Sequence, residues 1–168
     1  MDFPEIYDLH FAKVYNYVRY RVGTRDATDD VVSRIFEHVL GKLHTYDPRR
    51  GSLEAWLYAV ARNDVAAHFR RRWLRSFIPL ESVQEVSSDR ADVAASLAKT
   101  ESLGALLAAV SRLDERRRDL IAMKFGLGLT NREIARIMGL SESNVGTLLN
   151  RAVTRLRLEL SERGTPHE

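Results

Sequence analysis

Trp56, Arg62, Asn63, Arg70 and Trp73 recur at helical spacing within GSLEAWLYAVARNDVAAHFRRRWLR, residues 51–75. Aromatic, amide and guanidinium groups interleaved on one side of a helix suit stacking on unpaired bases with phosphates held nearby. Leu53, Leu57, Val60, Ala61 and Ala67 gather on the other side and are expected in a core. Arg70, Arg71, Arg72 and Arg75 close the segment as a cationic cluster, and Arg49 and Arg50 flank it from the preceding loop. A membrane-surface helix would want a wide apolar face under its basic rim, whereas Asp64 and His68 interrupt this one. A purely structural role is the alternative, since arginines satisfy a helix C-terminus and tryptophans usually sit in cores.

A second constellation lies in LTNREIARIMGLSESNVGTLLNRAVTRLR, which has two helix starts and a tight turn in helix-turn-helix order. Thr130 and Glu133 form a capping box, with Ile134, Ala135 and Met138 as the apolar face. Gly139 takes the turn, Leu140 plugs the angle and Ser141 caps the second helix. Val145, Leu149, Ala152 and Leu156 line the inner face of that helix. Opposite them stand Ser143, Asn144, Thr147 and Arg151, groups of the kind that reach base edges or phosphates in a major groove. The small Ala135 lets two helices cross closely; a helical hairpin with a solvated face needs none of these features in this register.

Other chemistries find little support. The five histidines have no ligand spacing, there is no cysteine, and no glycine-rich loop precedes a helix in the phosphate-binding pattern. We therefore expect no enzyme activity, no cofactor and no metal. The absence of cysteine also excludes a disulfide framework. No apolar run approaches the roughly 18 residues that cross a bilayer, and MDFPEIYDLH lacks a signal-peptide pattern, so a cytoplasmic protein without membrane insertion is expected. A net charge of only +3 means that any nucleic-acid surface is a local patch.

Both constellations need helices to carry them. With 168 residues, 45% hydrophobic and 29% charged, and only 9 Gly and 4 Pro, the chain suits long regular elements and one medium or two small domains. Helical periodicity runs through residues 3–73, broken at Gly23 and at 47–51, and no comparable alternating strand pattern occurs. Val31, Ile35, Val39 and Leu43, with Val32, Phe36 and Leu40 beside them, form a core-facing stripe; Asp26, Asp29 and Asp30 stand at the positive end of that helix. Residues 76–100 are small, polar and mildly acidic, and are expected to be a linker. The expected fold is all-α: a helical domain over 1–75, a flexible linker over 76–100 and a helix-turn-helix domain over 101–168.

The order DVVSRIF, GSLEAWLYAVARNDVAAHFRRR, a linker, then LTNREIARIMGLSESNVGTLLNRAVTRLR resembles bacterial sigma factors of the extracytoplasmic-function group of the sigma-70 family. The resemblance covers nearly the whole chain. It implies that 1–75 corresponds to region 2, which docks on the clamp helices of the largest polymerase subunit and melts the minus-ten element, and that 101–168 corresponds to region 4, which binds the minus-thirty-five element. By that likeness Asp30, Ser33, Arg34 and Glu37 face polymerase, although the family more often has Gln and Glu at the two middle positions. The loop 45–52 would hold an extruded base. Arg49, Arg50, Trp56, Arg62 and Asn63 would line the minus-ten path, with Arg70 and Arg71 on upstream phosphates. Ser141, Ser143, Asn144, Thr147, Leu148 and Arg151 would meet the minus-thirty-five element, with Gly146 and Leu148 where many relatives carry Lys and Arg. Arg116, Arg117 and Arg118 would meet phosphate or the polymerase flap, or simply form a solvated face. Glu81, Glu85 and Asp89 would be the charged part of a linker passing near the polymerase active centre. Partners implied are core RNA polymerase, promoter DNA and an anti-sigma protein. The alternative function is a stand-alone helix-turn-helix transcriptional regulator that binds duplex DNA.

Overall fold

A computed structural model describes residues 2–77 and 94–163, and the regular elements among them are helical, as expected. The first group comprises α1 (Phe3–Val22), α2 (Arg25–Lys42) and α3 (Leu53–Ser76), with 3-10 turns at Leu43–Thr45 and Pro48–Arg50 between the last two. The second comprises α4 (Ala94–Ser111), α5 (Glu115–Ile121) with a π-helical continuation over Ala122–Gly126, α6 (Asn131–Met138) and α7 (Glu142–Arg163).

Local chemistry starts and stops these helices. Asp2 accepts from the Glu5 amide at 3.1 Å while the Glu5 carboxylate accepts from the Asp2 amide at 3.0 Å, and Pro4 occupies the first turn of α1. The Gly23 amide closes the other end on the Arg19 carbonyl at 2.9 Å. Ser52 caps α3 by accepting from the Ala55 amide at 3.2 Å.

The apolar stripes pack as the periodicity requires. Ile6, Val14 and Val18 of α1, Val31, Ile35 and Val39 of α2, and Leu57, Ala61 and Val65 of α3 are buried in one cluster. That cluster continues without a break through Val110, Leu120, Ile121, Met123, Ile134, Val145 and Ala152 of the second group. The bridge is α1, which lies against α2 and α3 on one side and against α4, α5 and the π segment on the other.

Three expectations change. Leu40 does not join the stripe of α2; it is 58% exposed, because it shares an outer flank with Ser33 and Glu37. Val60 and Ala67 are only half-buried, while Tyr58, Asp64 and Val65 are the further buried positions of α3. Helix reaches into both ends of the expected 76–100 linker. Ser76 still belongs to α3, and α4 begins at Ala94, where AASLAK is rich in the helix formers Ala, Leu and Lys. Glu81, Glu85 and Asp89 lie outside the described residues.

His10 is almost wholly buried, at 2% exposure, and its Nδ1 has no hydrogen-bond partner. Burial holds its pKa below the ordinary imidazole value, and burial followed by the Arg71 and Arg72 charges does the same to His68. The unfolded chain therefore takes up these protons first, so stability is complete above about pH 6.5 and declines as pH falls below it. Thermal unfolding followed by circular dichroism between pH 7.5 and 5.5 should show the midpoint falling, and His10→Leu should flatten that slope.

Candidate nucleic-acid interface

The helix-turn-helix is built as its sequence requires. The Thr130 amide donates to Glu133 Oε2 at 2.7 Å and the Glu133 amide to Thr130 Oγ1 at 3.3 Å, which starts α6 with a reciprocal cap. Gly139 ends it in the left-handed region, φ 66° and ψ 37°, where a β-carbon would be strained. Its neighbour Leu140 donates its amide to the Ala135 carbonyl at 2.9 Å, turning the chain, and Ser141 Oγ accepts from the Asn144 amide at 3.2 Å to start α7. Ile134, Ala135, Val145, Leu149, Ala152 and Leu156 are buried together. This fixes the outer face of α7 toward solvent, where Ser143, Asn144, Thr147 and Arg151 are exposed. Thr147 spends its proton on the Ser143 carbonyl at 3.1 Å, leaving its oxygen as an acceptor. Leu148 is half-buried against the core, and a β-carbon at Gly146 would come no nearer than 3.7 Å to Asn131 Nδ2, so space does not demand glycine there.

The second surface spans α3 and the loop before it. Asp47 holds that loop, its side chain accepting from the Arg49 amide at 3.0 Å, and leaves Arg49 and Arg50 exposed. Tyr46 was not singled out by the sequence reading. Its ring lies 5.9 Å from that of Trp56 and its hydroxyl donates to the Gly51 carbonyl at 3.1 Å, so an aromatic pair closes the base of the loop. Trp56 is half-buried, Asn63 is exposed, and Arg70, Arg71 and Trp73 stand free on the outward course of α3. Trp73 packs edge-on against Phe77 at 4.6 Å, and both are more than half exposed. The helix in question is thus core on one side and a basic, aromatic surface on the other. Burial, then the charges of Arg71, Arg72, Arg34 and Arg75, lowers the pKa of His68 at this end of α3.

On α2, Asp30, Ser33, Arg34 and Glu37 are exposed along one flank. The adjacent His38 places Nδ1 2.8 Å from Oδ1 of Asp64, tying α2 to α3 and accounting for a carboxylate in the core stripe.

Arg62, expected on the nucleic-acid path, is engaged elsewhere. Its Nη2 and Nε donate to Asp119 Oδ2 at 2.8 and 3.2 Å. Tyr17 donates its hydroxyl to the other carboxylate oxygen at 2.8 Å, and Arg21 Nη1 lies 3.7 Å from it. Burial, then the Asp119 charge, raises the Tyr17 pKa far above the ordinary phenol, so its proton stays in place. Burial pulls the Arg62 guanidinium down, but the Asp119 charge and hydrogen bonds outweigh it and the net direction is up. Asp119 sits in the run ERRRDLI, which gives no sign of a partner 57 residues away. Arg116 is exposed, Arg117 returns to the Asp114 cap, and Arg118 Nη2 donates to the Ser111 and Leu113 carbonyls at 2.8 and 3.0 Å.

Among the described residues no group of His, Asp or Glu side chains is arranged to hold a metal ion, and no helix is long and apolar enough to cross a membrane.

The family model for sigma-70 region 2 matches residues 6–75, and that for sigma-70 region 4 matches residues 103–156. The ECF RNA polymerase sigma factor SigL of Mycobacterium tuberculosis is 30% identical over 168 residues, covering 95% of this chain and 89% of that protein. ECF sigma factor BldN of Streptomyces coelicolor is 32% identical over 154 residues, 92% of this chain but 58% of that longer protein. The fold matches the sigma factor RpoE of Bartonella quintana, solved in complex with the anti-sigma factor NepR, with a TM-score of 0.71 at 20% identity over 95% of this chain and 97% of that one. It also matches CnrH, solved with the cytosolic domain of CnrY, with a TM-score of 0.67 at 23% identity over 95% and 88%. The chain belongs to the extracytoplasmic-function group of sigma-70 RNA polymerase sigma factors.

Gly139 holds the left-handed turn between α6 and α7. Gly139→Ala should cost about 1 kcal/mol of stability through the left-handed backbone it must hold, measured by urea unfolding.

Proposed function

We propose that this chain directs core RNA polymerase to promoters and opens the minus-ten element through the α3 surface, while α7 reads the minus-thirty-five element. The observation that carries the reading is the coexistence in one chain of a capped helix-turn-helix with a free polar face and a basic, aromatic helix preceded by an aromatic-lined loop. The first suits duplex DNA and the second suits unpaired bases. Residues 1–75 and 101–168 act as the two binding domains, joined through 76–100.

In region 4 Ser143, Asn144, Thr147 and Arg151 enter the major groove from the first turns of α7, and Ser141 fixes its start. Leu148 offers a methyl contact rather than a charge. In region 2 the loop 45–52 receives an extruded base, with Trp56 and Tyr46 supplying the aromatic walls and Asn63 a donor and acceptor. Arg49 and Arg50 hold the single strand and Arg70 and Arg71 the upstream phosphates. Arg62 joins this path once it leaves Asp119. Asp30, Ser33, Arg34 and Glu37 meet the clamp helices of the largest polymerase subunit, and the exposed Arg116 faces phosphate or the flap. The chemistry is binding and strand separation with no covalent step, carried out in the cytoplasm with neither cofactor nor metal. A sigma factor of this fold is solved in complex with an anti-sigma factor, and a partner of that kind is proposed here also.

Each module alone binds weakly; fixed together on polymerase, the second contact becomes intramolecular and gains by effective concentration. The test uses a promoter fragment selected from random DNA by the chain bound to core polymerase. Trp56→Ala should slow open-complex formation roughly tenfold, the loss expected for one stacked base, and a template already unpaired at the minus-ten element should restore it. Arg151→Ala should weaken promoter binding by about 1 to 3 kcal/mol on either template. Firm binding of duplex DNA without polymerase, and no complex with polymerase, would instead establish the stand-alone regulator.

A further inference from the structure

We infer that the end of α3, residues 70–77, is an arm for duplex DNA: Trp73 and Phe77 lie against the promoter duplex upstream of the opened element, with the neighbouring arginines on its phosphates. The inference rests on the promoter-opening reading above, which uses Trp56, Asn63, Arg70 and Arg71 but leaves Trp73 and Phe77 without a role.

Nothing in the described core requires these last two turns. Phe69 is the final residue of α3 that packs against the apolar cluster, and every residue from Arg70 to Phe77 is exposed. Trp73, Leu74 and Phe77 are 62%, 57% and 67% exposed. Helices in proteins draw most of their stability from an apolar face packed on a neighbour, and among the described residues this stretch has none. Local bonds finish it instead: Ser76 Oγ donates to the Trp73 carbonyl at 2.6 Å and the Phe77 amide to the Leu74 carbonyl at 3.3 Å.

The chemistry of the arm selects a polyanion. Arg70, Arg71, Arg72 and Arg75 fill half of it, and no Asp or Glu occurs between Asp64 and Phe77. Among the described residues none of the four arginines has a carboxylate within ion-pair distance. Burial, followed by the charges of Arg71, Arg72, Arg34 and Arg75, holds the His68 pKa below the ordinary imidazole value, so Arg34 of α2 faces the same patch. Like charges gathered in this way repel one another until anions lie among them, and a phosphate backbone supplies anions in a row.

The rings decide which polyanion. Trp73 meets Phe77 at 4.6 Å with 73° between their planes, so Phe77 props the indole. Arg70 precedes them by one and by two helical turns and shares their face. Apolar side chains set among cations are how proteins engage the minor groove, where they reach sugars and base edges between two rows of phosphate. At ~1.5 Å per residue the helix carries Trp73 roughly 26 Å beyond Trp56, or about seven to eight base steps. With Trp56 on the opened strand, the arm therefore reaches DNA that is still paired.

The test uses holoenzyme assembled from the full chain and core polymerase, on the selected promoter fragment already unpaired at the minus-ten element. One version keeps its upstream duplex, and the other is cut at the upstream edge of that element. On the long fragment Trp73→Ala should bind roughly tenfold more weakly than the parent, the scale of one lost aromatic contact with a base, and Phe77→Ala should lose part of this. Trp73→Phe, which keeps a ring, should recover most of the loss. On the short fragment all variants should match the parent, and all should bind core polymerase equally. Both side chains lie outside the core, so the fold is not at stake. Equal losses on the two fragments, or no loss on either, would overturn the arm. So would weakened binding to core polymerase in place of DNA, which would make the arm a protein contact. A silent Trp73→Ala beside a Trp56→Ala that still slows opening of the paired promoter would remove the arm alone. A parent without polymerase-dependent promoter binding would remove the underlying reading and the arm together.

Discussion

A buried carboxylate must be met by donors, and Asp119 finds them on the other half of the chain. Tyr17, Arg62 and Arg21 reach it from two helices of the first domain, and their geometry holds only when α1, α3 and α5 sit in one register. Such a cluster adds little net stability, because desolvation of the ions offsets most of their attraction. Its effect is specificity: any other docking of the two domains would leave a buried charge unpaired. The apolar surface that runs beside it, from Val14 through Met123 to Ala152, supplies the attraction, and the carboxylate decides the arrangement.

The same cluster shows where the sequence is legible and where it is not. The helix-turn-helix was readable in detail because its determinants are local: Thr130 meets Glu133 three residues on, Gly139 needs its own left-handed backbone, and Ser141 caps Asn144. The stripes of α2 and α3 were mostly readable because helical period is local too. Arg62 was correctly placed away from the α3 core stripe, but nothing nearby shows that this face meets α5. Its partner lies 57 residues on, inside a charge run that resembles a solvated helix. Tyr46 escaped for a related reason: in a loop no periodicity marks an aromatic, and its value comes from Trp56 beside it. Asp64, read as an interruption of the apolar face a membrane helix would need, is the partner of His38. α4 begins at Ala94, inside the stretch whose small, polar composition suggested a linker.

Charge is distributed to match. A net +3 is small, yet arginines concentrate at the end of α3 and in the loop before it, with Arg34 contributing from α2. The outer face of α7 is more polar than charged. On the proposed reading, the first domain holds phosphate near unpaired bases and the second reads duplex edges with modest affinity. Neither suffices alone, which suits a subunit that acts only when polymerase holds both.

The central claim is that this chain confers promoter recognition on polymerase by two separate elements. Purified chain, core RNA polymerase and sheared DNA of the source genome should be combined, and the 5′ ends of the transcripts mapped beside reactions lacking either protein. New start sites that need both proteins and share two short upstream elements at fixed spacing are the expected result. Start sites that do not depend on the chain, or that share a single palindromic element, would contradict it.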